Sequence, residues 1–199
     1  MKKLLLTGFE PFLDFPINPT MQIAEDLDGQ VIHQYCIIGK VLPVDFQKSG
    51  EQLVKLLEET NPDTVLSLGL AGGRTAITPE RIAINCNDGE RDNDHYQPRG
   101  ETIIKDGPDG LFSTLPIQKL KETLNSNGFP SRISNTAGTY LCNHVMYQLL
   151  YFYYKNHKQV PAGFIHIPAS HQLAIEHVNL PSWSQKDLHD ALTLVIHTL

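Results

Sequence analysis

The sequence has little of what marks most specialised protein classes. It holds only three cysteines, Cys36, Cys86 and Cys142. They are widely spaced and none forms a C-x-x-C pair, which excludes a disulfide framework and a zinc site of ordinary spacing. No stretch approaches the ~20 consecutive apolar residues of a membrane helix. There is no basic run, and the formal net charge is -6, which makes nucleic acid and anionic membranes poor candidate partners, and neither is expected. Repeats, low-complexity tracts and Pro- or Ser-rich linkers are also missing, so residues 1–199 are expected to form a single domain. The N-terminal Lys2-Lys3-Leu4-Leu5-Leu6 begins like a secretion signal, but Gly8, Glu10 and Pro11 end the apolar run at once. The segment is read as a buried first strand, and the protein is expected to be soluble and cytoplasmic.

What is present is ordinary for a folded chain: 41% hydrophobic and 19% charged residues, enough to build a core. Apolar runs alternate with helical periodicities. Strands are expected at Lys2–Thr7, Val31–Val41, Thr64–Leu68, Arg81–Asn85, Arg132–Ser134 and Gly163–Ile167. Helices are expected from Pro19 to Leu27 with Asn18 as N-cap, and at Phe46–Glu59, Ile117–Leu124 and Tyr140–Lys155. A last helix, Gln185–His197, follows the N-cap Ser184. Residues 87–109 read as a long surface loop. This alternation predicts a three-layer α/β/α sandwich around a twisted, mainly parallel (mixed) sheet. In such sheets ligands gather beyond the carboxyl ends of the strands. Gly8–Phe12, Gly69–Gly73, Cys142 and His166 all fall at such ends.

Three residue types among these could carry nucleophilic catalysis. Cys142 follows the small, polar stretch Ser134–Thr139 into a helix, where the free N–H groups and partial positive charge of a helix start lower a thiol pKa and can hold an oxyanion. Cys36 and Cys86 sit in strand-like runs and read as inert. His166, near the end of an apolar strand, is a candidate base. His144 lies two residues beyond Cys142 on the same helix and faces elsewhere. Glu80, leading into Arg81–Asn85, could orient a histidine. Gly69-Leu70-Ala71-Gly72-Gly73 lacks the Lys-Ser/Thr of a phosphate loop and reads as a tight turn that lets backbone approach a substrate. Phe9, Phe12 and Phe15 could form core or wall a small flat pocket.

Four stretches together resemble the pyroglutamyl-peptidase I family of cysteine peptidases. They are Leu5–Phe12 with Asn18-Pro19-Thr20, Ala71-Gly72-Gly73 with Thr78–Asn85, Thr136–His144, and Gly163–Pro168. They occur in the family's order and at similar spacing. The resemblance implies a triad of Glu80, Cys142 and His166, and a pyroglutamyl pocket lined by Phe9 and Phe12. It places Asn18 and backbone near Leu70 at the lactam and matches a family arginine to Arg91. It further implies peptide substrates with N-terminal pyroglutamate and assembly as a homo-oligomer, often a tetramer; no cofactor or metal is expected. The chain departs from the family pattern at Leu13-Asp14, where two glycines are common, at Leu70, often glutamine, and at Pro168-Ala169-Ser170. Two other readings stay open: a thiol amidase of different acyl specificity, and a binding module that has lost catalysis.

Overall fold

The structure, a computed structural model, describes residues 1–199. In chain order the elements are β1 (Lys2–Phe9), α1 (Pro19–Leu27), β2 (Val31–Ile32), β3 (Tyr35–Leu42), α2 (Phe46–Thr60) and β4 (Thr64–Leu70). Then come β5 (Thr78–Pro79), β6 (Ile82–Ile84), β7 (Asn87–Asp88), β8 (Arg99–Glu101), β9 (Gly110–Phe112) and α3 (Ile117–Ser126). The chain closes with α4 (Leu141–Lys155), β10 (Ala162–Ile167), β11 (Ala169–Ser170), α5 (His171–Glu176), β12 (Ser182–Trp183) and α6 (Gln185–Thr198).

The main sheet has the order β2-β3-β1-β4-β10-β5. Its four central strands are parallel, and the short edge strands β2 and β5 run antiparallel. Alternate side chains of β1 point to opposite faces, as strand geometry requires. Leu4 and Leu6 join the core under α1, α3 and α6. Leu5 joins the core under α2 and α4. The three-layer sandwich expected from the sequence is the observed architecture. The chain leaves β1 for β3 on one side and returns to β4 on the other. The strand order therefore switches direction at β1/β4, which opens a crevice at their carboxyl ends.

Helix ends follow local chemistry. Asn18 caps α1 by accepting from Thr20 N, Asp45 caps α2 by accepting from Gln47 N and Lys48 N, and Ser184 caps α6 by accepting from Asp187 N. Asn61 ends α2 in the left-handed region, at φ 41°.

Several expectations are corrected. Val31–Val41 is not one strand: it turns at His33 (φ 53°) to form the β2/β3 hairpin. Arg132–Ser134 forms no strand and makes only isolated bridges beside it, Ile77 to Ser131 and Glu80 to Ser134. Cys86 lies in the short link between β6 and β7 rather than in a strand. The long loop at 87–109 carries the small β7/β8 hairpin. Of the aromatics on α4, Tyr147 and Tyr153 are core, whereas Tyr154 is exposed.

Candidate active site

The site assembles where β1, β4 and β10 end. His166 is the penultimate residue of β10 and pairs in register with Gly69 of β4. Thr78 of β5 pairs with it from the other side. Its ring is nearly enclosed, and Nδ1 lies 2.7 Å from Glu80 Oε1. Glu80 is fully buried. Its backbone is held by Phe164 O, which accepts from Glu80 N at 2.9 Å. Burial alone would raise the Glu80 carboxyl, but hydrogen bonding and charge from His166, with help from Ser134 and Arg74, win and hold it below the usual carboxylate range. Burial also lowers the basicity of His166, and Glu80 offsets this only in part. At neutral pH the pair is a carboxylate holding a neutral imidazole.

Cys142 is the second residue of α4. The helix starts there because Tyr140 is extended and His144 N closes the first turn onto Tyr140 O at 3.0 Å. The N–H groups at this helix start have no carbonyl four residues earlier within the helix, so they can serve a ligand. Asn143 locks the helix in place. Its side chain is fully buried, accepts from Ile84 N and donates to Ile84 O and Cys86 O at 2.9–3.0 Å. The amide behaves as one more strand partner for β6.

The thiol packs against Gly69. A Cβ at Gly69 would lie 2.8 Å from Cys142 Sγ and 2.7 Å from the Phe164 ring, so only glycine lets the nucleophile's helix approach the strand beside His166. The expected low thiol pKa is not what this environment produces. Burial pushes the Cys142 thiol up to about 12, and the Glu80 carboxylate adds to the rise. The Arg74 charge and the thiol's own backbone N–H pull the other way. Cys142 is not wholly covered, so water reaching it moderates the push, but the sign is upward. The resting thiol keeps its proton.

Beside Cys142 lies a cleft of ≈ 60 Å³ lined by Phe9, Phe12, Asn18, Val44, Leu70, Tyr140, Leu141 and Cys142. That is room for roughly five water-sized groups. It contains no charged side chain. Phe9, Phe12, Asn18 and Leu70 all line this cleft. Asn18 spends its oxygen on Thr20 N and Thr20 Oγ1 and donates one amide hydrogen to Glu10 O. That leaves its second N–H for a ligand. Arg91 does not line the cleft. Its side chain is exposed, and its carbonyl accepts from the Tyr140 hydroxyl at 2.9 Å. Phe15 packs edge-on against Phe12 and His177, outside the cleft.

Sequence reasoning missed several supports. Val44, Tyr140 and Leu141 wall the cleft. Glu10 accepts from Val44 N and from Asn93 Nδ2, both at 2.9 Å, which ties two cleft walls to the 87–109 segment. Arg74 donates to Glu80 Oε1 at 2.6 Å. The one sequence signal for Arg74 was its place just after Gly72-Gly73, close to Glu80. As expected, His144 turns away. It packs edge-on to Phe46 of α2, and burial lowers its pKa to about 4.

The comparisons with known proteins agree. The family model described as pyroglutamyl peptidase matches residues 2–199. The chain belongs to the pyroglutamyl peptidase family. It is 55% identical over 199 residues to the pyrrolidone-carboxylate peptidase of Oceanobacillus iheyensis, covering 100% of both chains. It is 56% identical over 196 residues to that of Lysinibacillus sphaericus, covering 98% of this chain and 96% of the relative. Among solved structures, the pyrrolidone carboxyl peptidase from Thermococcus litoralis superposes with a TM-score of 0.96 at 40% identity, covering 100% of this chain and 93% of that one. A mutant pyrrolidone carboxyl peptidase from P. furiosus gives 0.95 at 43% identity, covering 98% and 96%. The chain is thus a thiol-dependent peptidase of the kind that removes N-terminal pyroglutamate.

Proposed function

We propose that Cys142 attacks the carbonyl of an N-terminal pyroglutamyl residue while His166 accepts the thiol proton, with Glu80 fixing the imidazole. The observation that carries this reading is the buried Glu80–His166 hydrogen bond of 2.7 Å on the strand next to the one that Cys142 touches. Because the thiol is protonated at rest, proton transfer accompanies attack rather than preceding it. The positive imidazolium that forms is stabilised by the Glu80 carboxylate. N–H groups at the start of α4 receive the oxyanion, and each such donor contributes about 3 kcal/mol to lowering the barrier. The imidazolium returns its proton to the leaving amine, a thioester remains on Cys142, and water releases pyroglutamate.

The cleft supports the substrate choice. A neutral five-membered lactam fits a space of ≈ 60 Å³ walled by Phe9, Phe12 and Tyr140, and the spare Asn18 N–H can donate to its carbonyl. Leu70 supplies backbone and an apolar floor. An ordinary charged amino terminus would lose hydration without meeting a carboxylate there, since none lines the cleft. Arg91 enters this reading through its carbonyl, which steadies Tyr140.

A fluorogenic pyroglutamyl amide tests the reading under reducing conditions, with alanyl and glutamyl amides as controls. The expected result is release from the pyroglutamyl substrate alone, eliminated by prior iodoacetamide. Release that survives alkylation, or that favours alanyl, would overturn it.

We further read residues 1–199 as one peptidase domain that works in the cytoplasm as a homotetramer. The family resemblance supports this, as do the exposed apolar side chains of Ile175 and Val178. No helix is long and apolar enough to cross a membrane. A sedimentation mass of one chain at working concentration would refute the tetramer.

A further inference from the structure

Arg74 is a second strong partner of Glu80, and it shares the oxygen that His166 uses. Arg74 Nη1 lies 2.6 Å from Glu80 Oε1, and His166 Nδ1 lies 2.7 Å from that same oxygen. The two nitrogens are therefore within about 5 Å of one another. The other carboxylate oxygen, Oε2, is buried with no hydrogen-bond partner. Both positive or partly positive groups thus draw on one atom.

The guanidinium also reaches the backbone around the histidine. It donates to the Thr78 hydroxyl, and that hydroxyl lies 3.4 Å from His166 O as its donor. A longer contact, 3.5 Å from Nη2, reaches Thr136 O in the segment leading to Cys142. Arg74 therefore touches all three segments that place the triad. It lies partly exposed at the protein surface, with 24% of its side chain accessible.

We propose that Arg74 is a positioning residue that holds Glu80 in register and, by sharing its charge, limits how tightly Glu80 binds a proton on His166. The physical logic is a balance. A carboxylate with no other partner would offset more of the effect of burial, and His166 would hold a proton, useless as a base, up to a higher pH. A guanidinium on the same oxygen neutralises part of that charge and repels the imidazolium, so His166 stays a free base at lower pH. Other charges do not compete. β4 presents no titratable side chain, β5 and its flanks present Arg74 and Glu80 while the exposed Arg81 donates to Asn135 Oδ1, and α4 presents Cys142, while His144 faces α2. The direction agrees with the repulsive effect of Arg74 on the basicity of His166.

The inference rests on the triad reading above. Its test uses Arg74→Gln, Arg74→Met and Arg74→Lys in the full chain. For each, kcat/KM is followed across the acid limb of the pH profile, and the His166 imidazole is titrated by NMR. Removing the charge leaves His166 protonated to higher pH, so Arg74→Gln and Arg74→Met are expected to move the acid limb and the imidazole titration upward by roughly one pH unit. Arg74→Met retains the apolar stem and guards against misfolding of the glutamine variant. Arg74→Lys retains charge without the planar fork. Its acid limb should stay in place while the rate falls several-fold. A neutral variant whose imidazole titrates as in the wild type, however slow its turnover, would overturn the proposal, as would an equal upward shift in Arg74→Lys. The NMR titration needs no turnover, so it judges Arg74 alone. Turnover that survives alkylation of Cys142 would instead sink the triad reading.

Discussion

Replacing Cys142 with serine is expected to lower kcat/KM for a pyroglutamyl amide by about 10⁴-fold or more, the scale on which removal of a triad nucleophile acts. The hydroxyl is a far weaker acid than the thiol, and His166 is a base already weakened by burial. Proton transfer from serine to that imidazole is therefore more uphill still. Binding is expected to survive, because Cys142 is only one edge of a cleft otherwise walled by Phe9, Phe12, Val44, Leu70, Tyr140 and Leu141. So is the fold: the side chain is half-buried and nearly isosteric. Active-site titration with unaltered thermal unfolding would check both halves. Near-normal turnover would remove Cys142 from the nucleophile's role.

Glu80→Gln is expected to reduce kcat by about 10³–10⁴-fold with little change in KM. The glutamine oxygen can still accept a hydrogen bond, but it carries no charge to stabilise the imidazolium. Its amide hydrogens would also compete for His166 Nδ1 in the wrong tautomer. An unchanged kcat would refute the orienting role. The same substitution has a signature in stability. The folded Glu80 carboxyl is held below its ordinary value of 4.5. A depressed carboxyl adds stability above the ordinary value, and that stability is lost as pH falls through the folded one. The variant should lack this acid loss. His144 also destabilises the fold in acid. Burial lowers it from 6.5 to about 4, so the unfolded chain takes up a proton first and stability declines between those values. His144 is present in both proteins and cancels, whereas His166 loses a partner that raises its basicity, so the difference between their denaturation curves reports Glu80 together with its effect on His166. Parallel curves below the ordinary carboxylate value would count against its ionised, hydrogen-bonded state.

Much of this was legible in the residues because it is local. Asn18-Pro19 capping α1, Asn61-Pro62 stopping α2 and Ser184 opening α6 are short-range hydrogen-bond and dihedral preferences. The alternation of Leu4, Leu5 and Leu6 between two cores follows from the period of a strand. Short-range signals failed where a segment's partner is distant. Thr78–Pro79 is a strand only because β10 lies beside it, and Arg132–Ser134 is not one because only isolated bridges reach that segment. Arg74 reads as an ordinary loop arginine until Glu80 and Thr78 are brought to it. Asn143 reads as a helix residue until Ile84 and Cys86 present their backbone.

The sequence by itself determined the alternating α/β class, the helix boundaries set by their caps, and the set of candidate groups, Glu80, Cys142 and His166. Residue type and local periodicity suffice for those. The tertiary structure alone decided how the groups are charged and what holds them. A thiol at a helix start is acidic by its local surroundings, yet here enclosure beside a carboxylate keeps it protonated. Enclosure is a property of elements far apart in the chain, with β4, β10 and α4 meeting at Gly69. Desolvation and long-range charge depend on that meeting, which no window of sequence contains.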